Sequence, residues 1–415
     1  MKVFKFGGAS VKDAEGVRNL STILKQYSNE YPVVIVSAMG KTTNALEVIA
    51  HNVLYNKTEL EASIQVVETY HNTIVSELFL NVNHPVFSIV NDLLADLRTI
   101  LQTNVSTNYN FVYDQIIGFG ELLSTTIVSE YLNQFGVENI WLDVRNHIKT
   151  DVNYRRANVD WEITEQLIKP LKHNHSIVVT QGFLGSDTKN TTTLGREGSD
   201  YTAAIFAYCL DAESVTIWKD VPGVLNADPR YFKEAQLLEQ LSYTEAIELA
   251  FYGASVIHPK TLQPLQKKGI TLYVKSFLNP KAKGTKVNAD LGITPKVPCY
   301  IVKKQEILIC ISSLDFSYIV EENISDIFSV LHRFKMKVNL IQNSAISFSI
   351  CVEDIFNNLE HVLEYFRVSY KVSYVSNVSL YTVRHYNTDA TNSITKNKDI
   401  LLQQRTQDTL QIVTK

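Results

Sequence analysis

Cysteine is scarce in this chain, four in 415 residues, and Cys209, Cys299, Cys310 and Cys351 form neither a CxxC pair nor a His/Cys cluster at zinc spacing. That argues against a disulfide framework or a zinc site and predicts reduced, mostly buried thiols in a cytosolic protein. A basic excess is lacking too: 39 lysines and arginines against 43 acids leave a formal charge of −4. A nucleic-acid backbone binder would carry the opposite balance, so a small-molecule substrate is the expectation. No apolar run is long enough to cross a bilayer, and the opening Met1-Lys2-Val3-Phe4-Lys5-Phe6 is too short and too charged for a signal segment. The protein is expected to be cytoplasmic. Missing as well are the common nucleotide signatures. Gly40-Lys41-Thr42 looks like the tail of a P-loop, but Ile35 stands where the first glycine belongs. Gly118-Phe119-Gly120 opens like a dinucleotide fingerprint, but Leu123 replaces its third glycine, and neither HRD nor DFG occurs. A bound phosphate must be held by another scheme.

What is present is the make-up of a globular chain, 45% hydrophobic and 20% charged, with the length of two to four domains. Residues 2–6 read as a strand closed by Gly7-Gly8, and helical spacing follows through Val17, Leu20, Ile23 and Leu24. Val33-Val34-Ile35-Val36 reads as a buried strand whose closing turn opens another helix. This βαβ rhythm predicts a parallel sheet covered on both faces. Residues 59–104 are helical in period and, with stretches flanking Gly118-Phe119-Gly120, make a helical region over about 59–130. Later strands at 177–180, 214–217 and 271–274 each run into a polar or Gly-containing turn. In open α/β sheets, ligands sit at such strand ends.

Character changes over 280–300, where Pro280, Lys281, Lys283, Gly284, Pro295 and Pro298 mark a linker after a domain spanning 1–290. Beyond it, strand 307–313, helix 324–334, strands 337–343 and 346–352, helix 356–367 and strand 371–384 follow the β-α-β-β-α-β order of a ferredoxin-like fold. That unit is assigned to 299–378, with a partial copy over 379–415. The copy has strands near 379–386, 400–406 and 409–414 and a loop or short poor helix over 387–398.

Lys5-Phe6-Gly7-Gly8-Ala9-Ser10 offers a phosphate scheme. Two glycines after a strand let the backbone approach an anion, with Lys5 as a fixed charge; an ordinary strand-to-helix turn would read the same. Ser37-Ala38-Met39-Gly40-Lys41-Thr42-Thr43-Asn44 is a second polar turn, at the least an N-cap. Leu194-Gly195-Arg196-Glu197-Gly198-Ser199-Asp200-Tyr201-Thr202 is the most informative segment. Arg196 can grip a carboxylate with two parallel hydrogen bonds. Asp200 precedes an apolar helix, where capping would also justify it. Trp218-Lys219-Asp220-Val221-Pro222-Gly223-Val224-Leu225-Asn226-Ala227-Asp228-Pro229-Arg230 reads as a nucleotide loop around adenine and ribose or as a rigid connector.

In order, KFGGAS, SAMG, GFGELLS, GREGSDYTA, WKDVPG…NADPR, GASVIHP and NPKAKGT resemble the aspartate kinases of the amino-acid kinase superfamily over about residues 1–290, and the remainder resembles that family's paired ACT domains. The resemblance implies an α/β fold, a three-layer αβα sandwich with a mainly parallel sheet, plus C-terminal ferredoxin-like ACT domains. It implies transfer of the γ-phosphoryl group of ATP to the side-chain carboxylate of L-aspartate, with Mg²⁺. Lys5 would contact the moving phosphoryl group and Asp200 would organise that lysine and the substrate. Glu121 would bind the substrate amino group and Arg196 its α-carboxylate, with Ser37 and Ser199 as further substrate-binding residues. The nucleotide would be met by Lys5, Gly7, Gly8, Ser10, Lys219, Asp220, Gly223, Val224, Asp228, Pro229 and Arg230. An amino-acid effector at the ACT domains and a homodimer or higher homo-oligomer are implied too, since ferredoxin-like sheets pair at exposed edges.

The chemistry agrees with these roles. An ammonium needs an anion and a carboxylate is best held by arginine, so one amino acid needs one acid and one arginine. A side-chain carboxyl with a reference pKa of about 3.9 is already ionised at neutral pH and needs no general base. His258, ahead of Pro259, therefore reads as the end of a helical segment. No protein ligand to Mg²⁺ is expected, because that ion prefers phosphate and water.

Some positions depart from the family pattern. Ser255 stands where many members carry a lysine, with Lys219 or Lys260 as candidate substitutes. Leu225 replaces a common tyrosine and Glu197 a frequent glycine. Glu321-Glu322-Asn323-Ile324 lacks a loop glycine, and Asn339 replaces the aspartate of lysine-sensitive relatives, so an effector ammonium would lose its anion. Two other functions stay open: a superfamily kinase acting on another carboxylate such as glutamate, and a catalytically weak ACT-type amino-acid sensor. Retention of Lys5, Glu121, Arg196 and Asp200 weighs for the kinase.

Overall fold

The computed structural model describes every residue except Ser255, Val256 and Leu291. The chain forms two compact units, Met1–Val224, Leu237–Ile247 and Val256–Thr294 in the first, and Leu225–Gln236, Glu248–Ser255 and Pro295–Lys415 in the second.

The first unit contains strands β1 (Lys2–Phe6), β2 (Val33–Val36), β3 (Asn139–Leu142), β4 (Ile177–Gln181), β5 (Leu184–Ser186), β6 (Thr191–Thr193), β7 (Ser214–Lys219), β8 (Gln240–Ser242), β9 (Thr271–Ser276), β10 (Thr285–Asn288) and β11 (Ile293–Thr294). Its helices are α1 (Ala14–Lys25), α2 (Thr42–Tyr55), α3 (Leu60–Leu78), α4 (Pro85–Thr103), α5 (Tyr109–Ile117), α6 (Phe119–Gln134), α7 (Trp161–Ile168) and α8 (Gly198–Leu210); α9 (Tyr243–Tyr252) begins here, and α10 (Pro259–Lys268) follows. Among the described residues, nine strands make one sheet in the order β11-β8-β10-β9-β7-β1-β2-β4-β3, with β5 and β6 as a separate hairpin. The sheet is parallel except where β10 meets β9 and β11 meets β8.

Alternation along β1 decides which side chain reaches which layer. Phe4 and Phe6 share one apolar cluster with Val34 and Val36 of β2 and with residues of α1 through α6. Lys5, between them, points to the opposite face, where α8 carries Asp200. Because β1, β2, β4 and β7 are parallel and in register at Phe6, Val36, Gln181 and Trp218, their carboxyl ends open on one edge.

The 280–300 stretch is not a bare linker. β10 and β11 lie within it, β10 pairing with both β9 and β8. The prolines, lysines and glycine that read as linker punctuate these short strands, and long-range pairing outweighs their local signal.

In the second unit, β12 (Cys299–Ser312), β13 (Lys337–Asn343), β14 (Ser347–Glu353), β15 (Lys371–Arg384), β16 (Ile400–Arg405) and β17 (Thr409–Thr414) form an antiparallel sheet in the order β13-β14-β12-β15-β17-β16. Helices α11 (Glu321–Arg333) and α12 (Leu359–Arg367) bury Ile327, Val330, Leu331, Val362, Leu363 and Phe366 against Ile309, Ile311, Phe348 and Ile350. The strand expected at 307–313 is the second half of β12, which already begins at Cys299. β15 runs through the boundary drawn at 378/379, so both halves of the sheet share two long strands. Residues 388–395 form helix α13 (Thr388–Thr395), capped by Asn387 and seated by buried Ala390 and Ile394. Of the four cysteines, Cys209, Cys299 and Cys351 are buried and Cys310 is partly buried. Among the described residues, no helix is long and apolar enough to cross a membrane.

Candidate active site

Two turns at the sheet edge are stitched together. Ser37 N–H donates to the Phe6 carbonyl (3.1 Å) and Gly40 N–H to the Gly8 carbonyl (3.0 Å). The approach is close enough that a side chain at Gly8 would fall 2.7 Å from the Ala38 carbonyl oxygen, so glycine is required there. Ser10 is buried and donates to the Trp218 carbonyl (3.4 Å), which ties the same turn to the end of β7.

Three charged groups meet where these ends converge. Lys5 Nζ lies 2.5 Å from Asp200 Oδ1, and Lys219 Nζ lies 3.5 Å from Asp200 Oδ2. Asp200 is 3% exposed and Lys5 8%. Burial pushes the Asp200 carboxyl up, but the Lys5 and Lys219 ammonium groups outweigh it and hold the group below the ordinary carboxylate range. One buried anion thus faces two cations beside Gly7, whose missing Cβ would sit 3.5 Å from Lys5 Nζ.

Glu121, in the first turn of α6, is 3% exposed. Its Oε1 accepts from Ala38 N–H (3.3 Å), while its buried Oε2 has no hydrogen-bond partner. Burial pushes its carboxyl up to about 8, with Ala38 N–H and Lys5 offsetting part of the rise. The Ser37 carbonyl accepts from Ser124 Oγ (2.7 Å), also on α6.

The Gly195–Asp200 turn follows β6. Gly195 (φ +82°) and Glu197 (φ +53°) are both left-handed. That backbone suits glycine, which is why a glycine serves well at position 197; Glu197 adopts it at a cost of about 1 kcal/mol. Ser199 packs over Gly182 at the end of β4, where any side chain on Gly182 would lie 2.5 Å from its Oγ. Thr202 Oγ1 donates to the Gly198 carbonyl (3.0 Å) and accepts from Phe183 N–H (2.9 Å), fixing α8 to the sheet edge. Arg196 is exposed and forms no hydrogen bond or ion pair with the described residues.

Of the two candidate substitutes for a lysine at 255, Lys219 stands in the cluster. Lys260 instead reaches the Leu194 carbonyl (3.4 Å) and the face of Tyr201. Ser255 itself lies outside the described residues. Asp220 is exposed, and the next residues are held by Thr285, whose Oγ1 accepts from Val224 N–H (2.8 Å). Gly223 (φ +155°) comes so near Thr285 Oγ1 that a Cβ would sit at 2.5 Å. Asp228, Pro229 and Arg230 belong to the second unit, where Asp228 and Arg230 are paired with each other (2.6 Å). In that unit, the amide of Asn339 is also engaged. Its oxygen accepts from Lys303 Nζ (2.7 Å) and its nitrogen donates to buried Glu306 (2.8 Å). His258 is the N-cap of α10, accepting from Lys260 N–H. Sequence reasoning missed Asp114, a buried carboxylate on α5 that accepts from Thr193 and Arg155.

A buried acid–lysine pair at the carboxyl edge of a mainly parallel sheet, with glycine turns around it, suits phosphoryl transfer to a small molecule. Residues 1–276 match the Amino acid kinase family, and the chain belongs to that family. Within it, the chain groups with the aspartokinases. It is 31% identical over 364 residues to lysine-sensitive aspartokinase 3 of Escherichia coli (strain K12), covering 85% of this chain and 78% of that protein. It is 31% identical over 386 residues to the chloroplastic aspartokinase 1 of Arabidopsis thaliana, covering 87% and 66%. Among solved structures, E. coli aspartokinase III in complex with lysine and aspartate (T-state) superposes with a TM-score of 0.84 at 26% identity, covering 100% of this chain and 95% of that one. The same enzyme in complex with aspartate and ADP (R-state) gives 0.81 at 26% identity, covering 100% and 96%.

Proposed function

We propose that the chain is an aspartate kinase, moving the γ-phosphoryl group of ATP onto the side-chain carboxylate of L-aspartate to give 4-phospho-L-aspartate and ADP, at the entry to lysine, threonine and methionine synthesis. The observation that carries this reading is the Lys5–Asp200–Lys219 cluster with the half-satisfied Glu121 carboxylate beside it. A buried oxygen without a partner is costly, and an ammonium is the ligand that would satisfy it. Arg196, unpaired and exposed, is free to take the α-carboxylate in a bidentate grip. A side-chain carboxylate oxygen then attacks the γ-phosphorus, its bond to the β,γ-bridging oxygen breaks, and ADP leaves. No proton moves. Lys5 stabilises charge on the passing phosphoryl group, and Asp200 holds Lys5 in place. Mg²⁺ would neutralise charge on the nucleotide phosphates. Asp200 is already occupied by two ammonium groups, so the phosphates and water are the ligands proposed for that ion.

A hydroxamate trap with ATP, Mg²⁺ and hydroxylamine tests this. Aspartate-dependent hydroxamate is expected; a signal only with glutamate or acetylglutamate would assign another acceptor, and none at all would leave a sensor. In the same assay Arg196→Ala should raise the KM for aspartate about tenfold, the loss of one charge-assisted contact. An unchanged KM would free Arg196 of its role.

The second unit is proposed to bind an amino-acid effector and to join copies of this cytoplasmic enzyme into a homo-oligomer. Strand β13 is a sheet edge that carries exposed Ile341, and Phe316 and Tyr318 of the same unit are exposed as well. Unpaired edges with apolar cover invite pairing. Phe316→Asp with Ile341→Lys should shift light-scattering mass to that of one chain; a mass unchanged from wild type would place the interface elsewhere.

A further inference from the structure

Asp114 takes no part in the transfer described above, yet it is wholly buried and gathers donors from two other segments. Its Oδ2 accepts from Thr193 N–H (2.9 Å) and its Oδ1 from Thr193 Oγ1 (2.8 Å). Arg155 N–H is shared between the two oxygens at 3.1 and 3.0 Å. Both donor segments border Arg196. Thr193 closes β6 just ahead of it, and its carbonyl accepts from Ala157 N–H (2.9 Å). The Arg155 carbonyl oxygen lies 3.2 Å from where a Cβ on Gly195 would stand. Arg155 (φ +68°) and Gly195 (φ +82°) are both left-handed, so one carboxylate clasps two unusual backbone turns together. Asp200 has separate supports: the two lysines hold its carboxylate, and Thr202 ties its helix to Phe183 N–H.

We propose that Asp114 is a positioning residue for acceptor binding: through Thr193 and Arg155 it fixes the turn that presents Arg196 to the substrate. This rests on the reading that Arg196 grips the acceptor's α-carboxylate. Only the ionised carboxyl can accept from all of these donors; a protonated acid or an amide must turn a hydrogen toward one of them. Burial pushes the Asp114 carboxyl up to about 6, while the Arg155 and Thr193 hydrogen bonds pull it back. The titratable and charged groups facing it are Tyr113 on its own helix, and Tyr154 and Arg155 on the clasped loop; β6 brings none. The Arg155 guanidinium in turn meets Glu47 of α2 (3.4 Å). Both tyrosines are raised from their ordinary value and stay neutral in this range. Asp114 therefore protonates as pH falls through about 6, the clasp loosens, and acceptor affinity drops.

Steady-state kinetics of the full chain with L-aspartate at saturating MgATP, from acidic to mildly alkaline pH, test this on wild type, Asp114→Asn and Thr193→Val. Wild-type KM should already rise below about pH 8 as Glu121 protonates, and a second, added rise should set in below about 6, the acid limb that belongs to Asp114. Asp114→Asn should raise KM by up to about tenfold at neutral pH, no more than the loss of Arg196 itself, with kcat within about threefold, and should lack that acid limb. Thr193→Val should raise KM by about threefold to tenfold and keep the limb. The role is overturned if the limb persists in Asp114→Asn, if kcat falls while KM holds, or if Thr193→Val behaves as wild type. Should Asp114→Asn fail to fold, the wild-type limb and Thr193→Val decide. A wild-type protein that phosphorylates no acceptor would remove the functional reading and this proposal together, whereas an active one with an unaltered Asp114→Asn removes only the positioning role.

Discussion

Truncating Lys5 to alanine is expected to lower kcat by about 10²–10³-fold, the range found when one preorganised donor to a developing charge is removed. The KM for L-aspartate should change little, because Lys5 is aimed at the phosphoryl group and not at the acceptor's ammonium or α-carboxylate. The substitution is clean because of the second lysine. With Lys5 gone, Asp200 keeps Lys219 at 3.5 Å, so the buried carboxylate is not left without a cation. Asp200→Asn would do the reverse, removing the buried carboxylate that Lys5 pairs with, and would mix chemistry with folding. Lys5→Arg should not rescue turnover, since a planar fork does not replace a compact ammonium where the native lysine is only 8% exposed. Hydroxamate formation gives the rate and thermal melting checks the fold. A normal kcat in a folded Lys5→Ala protein would take Lys5 out of the transfer step.

The parts of this site that were legible in the sequence are those whose signal is local. A strand followed at once by two glycines and an arginine ahead of Gly-Ser-Asp each announce themselves over a few residues, whereas Glu121, which alone reads as a solvated helix residue, is reached only through the family resemblance. Strand alternation then predicts that Lys5 turns away from Phe4 and Phe6, and the sheet register brings it to Asp200. What could not be read is pairing over long distances. Asp114 looks like one polar residue in an amphipathic helix, and its donors lie as far as 79 positions away. Thr285 sits in a stretch punctuated as a linker, yet its hydroxyl both holds the Gly223–Val224 turn and donates to the Leu238 carbonyl (2.6 Å). Glu197 is the middle case. Its identity stood out against a frequent glycine, but only its left-handed backbone explains why that position favours one.

Replacing Glu121 by glutamine should raise the KM for L-aspartate by about 100-fold, the upper range for a buried charge-assisted contact, while making the ligand-free protein more stable above neutral pH. Both effects come from one oxygen. In the free protein Glu121 has Ala38 N–H on Oε1 and no hydrogen-bond partner on Oε2, so burial lifts its carboxyl from 4.5 to about 8. The folded state therefore holds a proton that the unfolded chain releases, and stability falls as pH rises across that window. A glutamine amide keeps the acceptor for Ala38 and carries no charge, so this share of the pH dependence disappears. Asp114, also raised, continues to contribute its own share near pH 6 in both proteins. The acceptor reverses the ranking. Its ammonium meets the ionised form of Glu121, so wild-type affinity should tighten as pH rises toward 8, with proton release on binding. Saturating L-aspartate should accordingly raise the wild-type Tm more at pH 8 than at pH 6 and barely move that of Glu121→Gln. Melting curves at the two pH values with and without L-aspartate, together with the KM, decide it. Equal ligand-induced shifts in the two proteins would mean that the acceptor's ammonium is bound elsewhere.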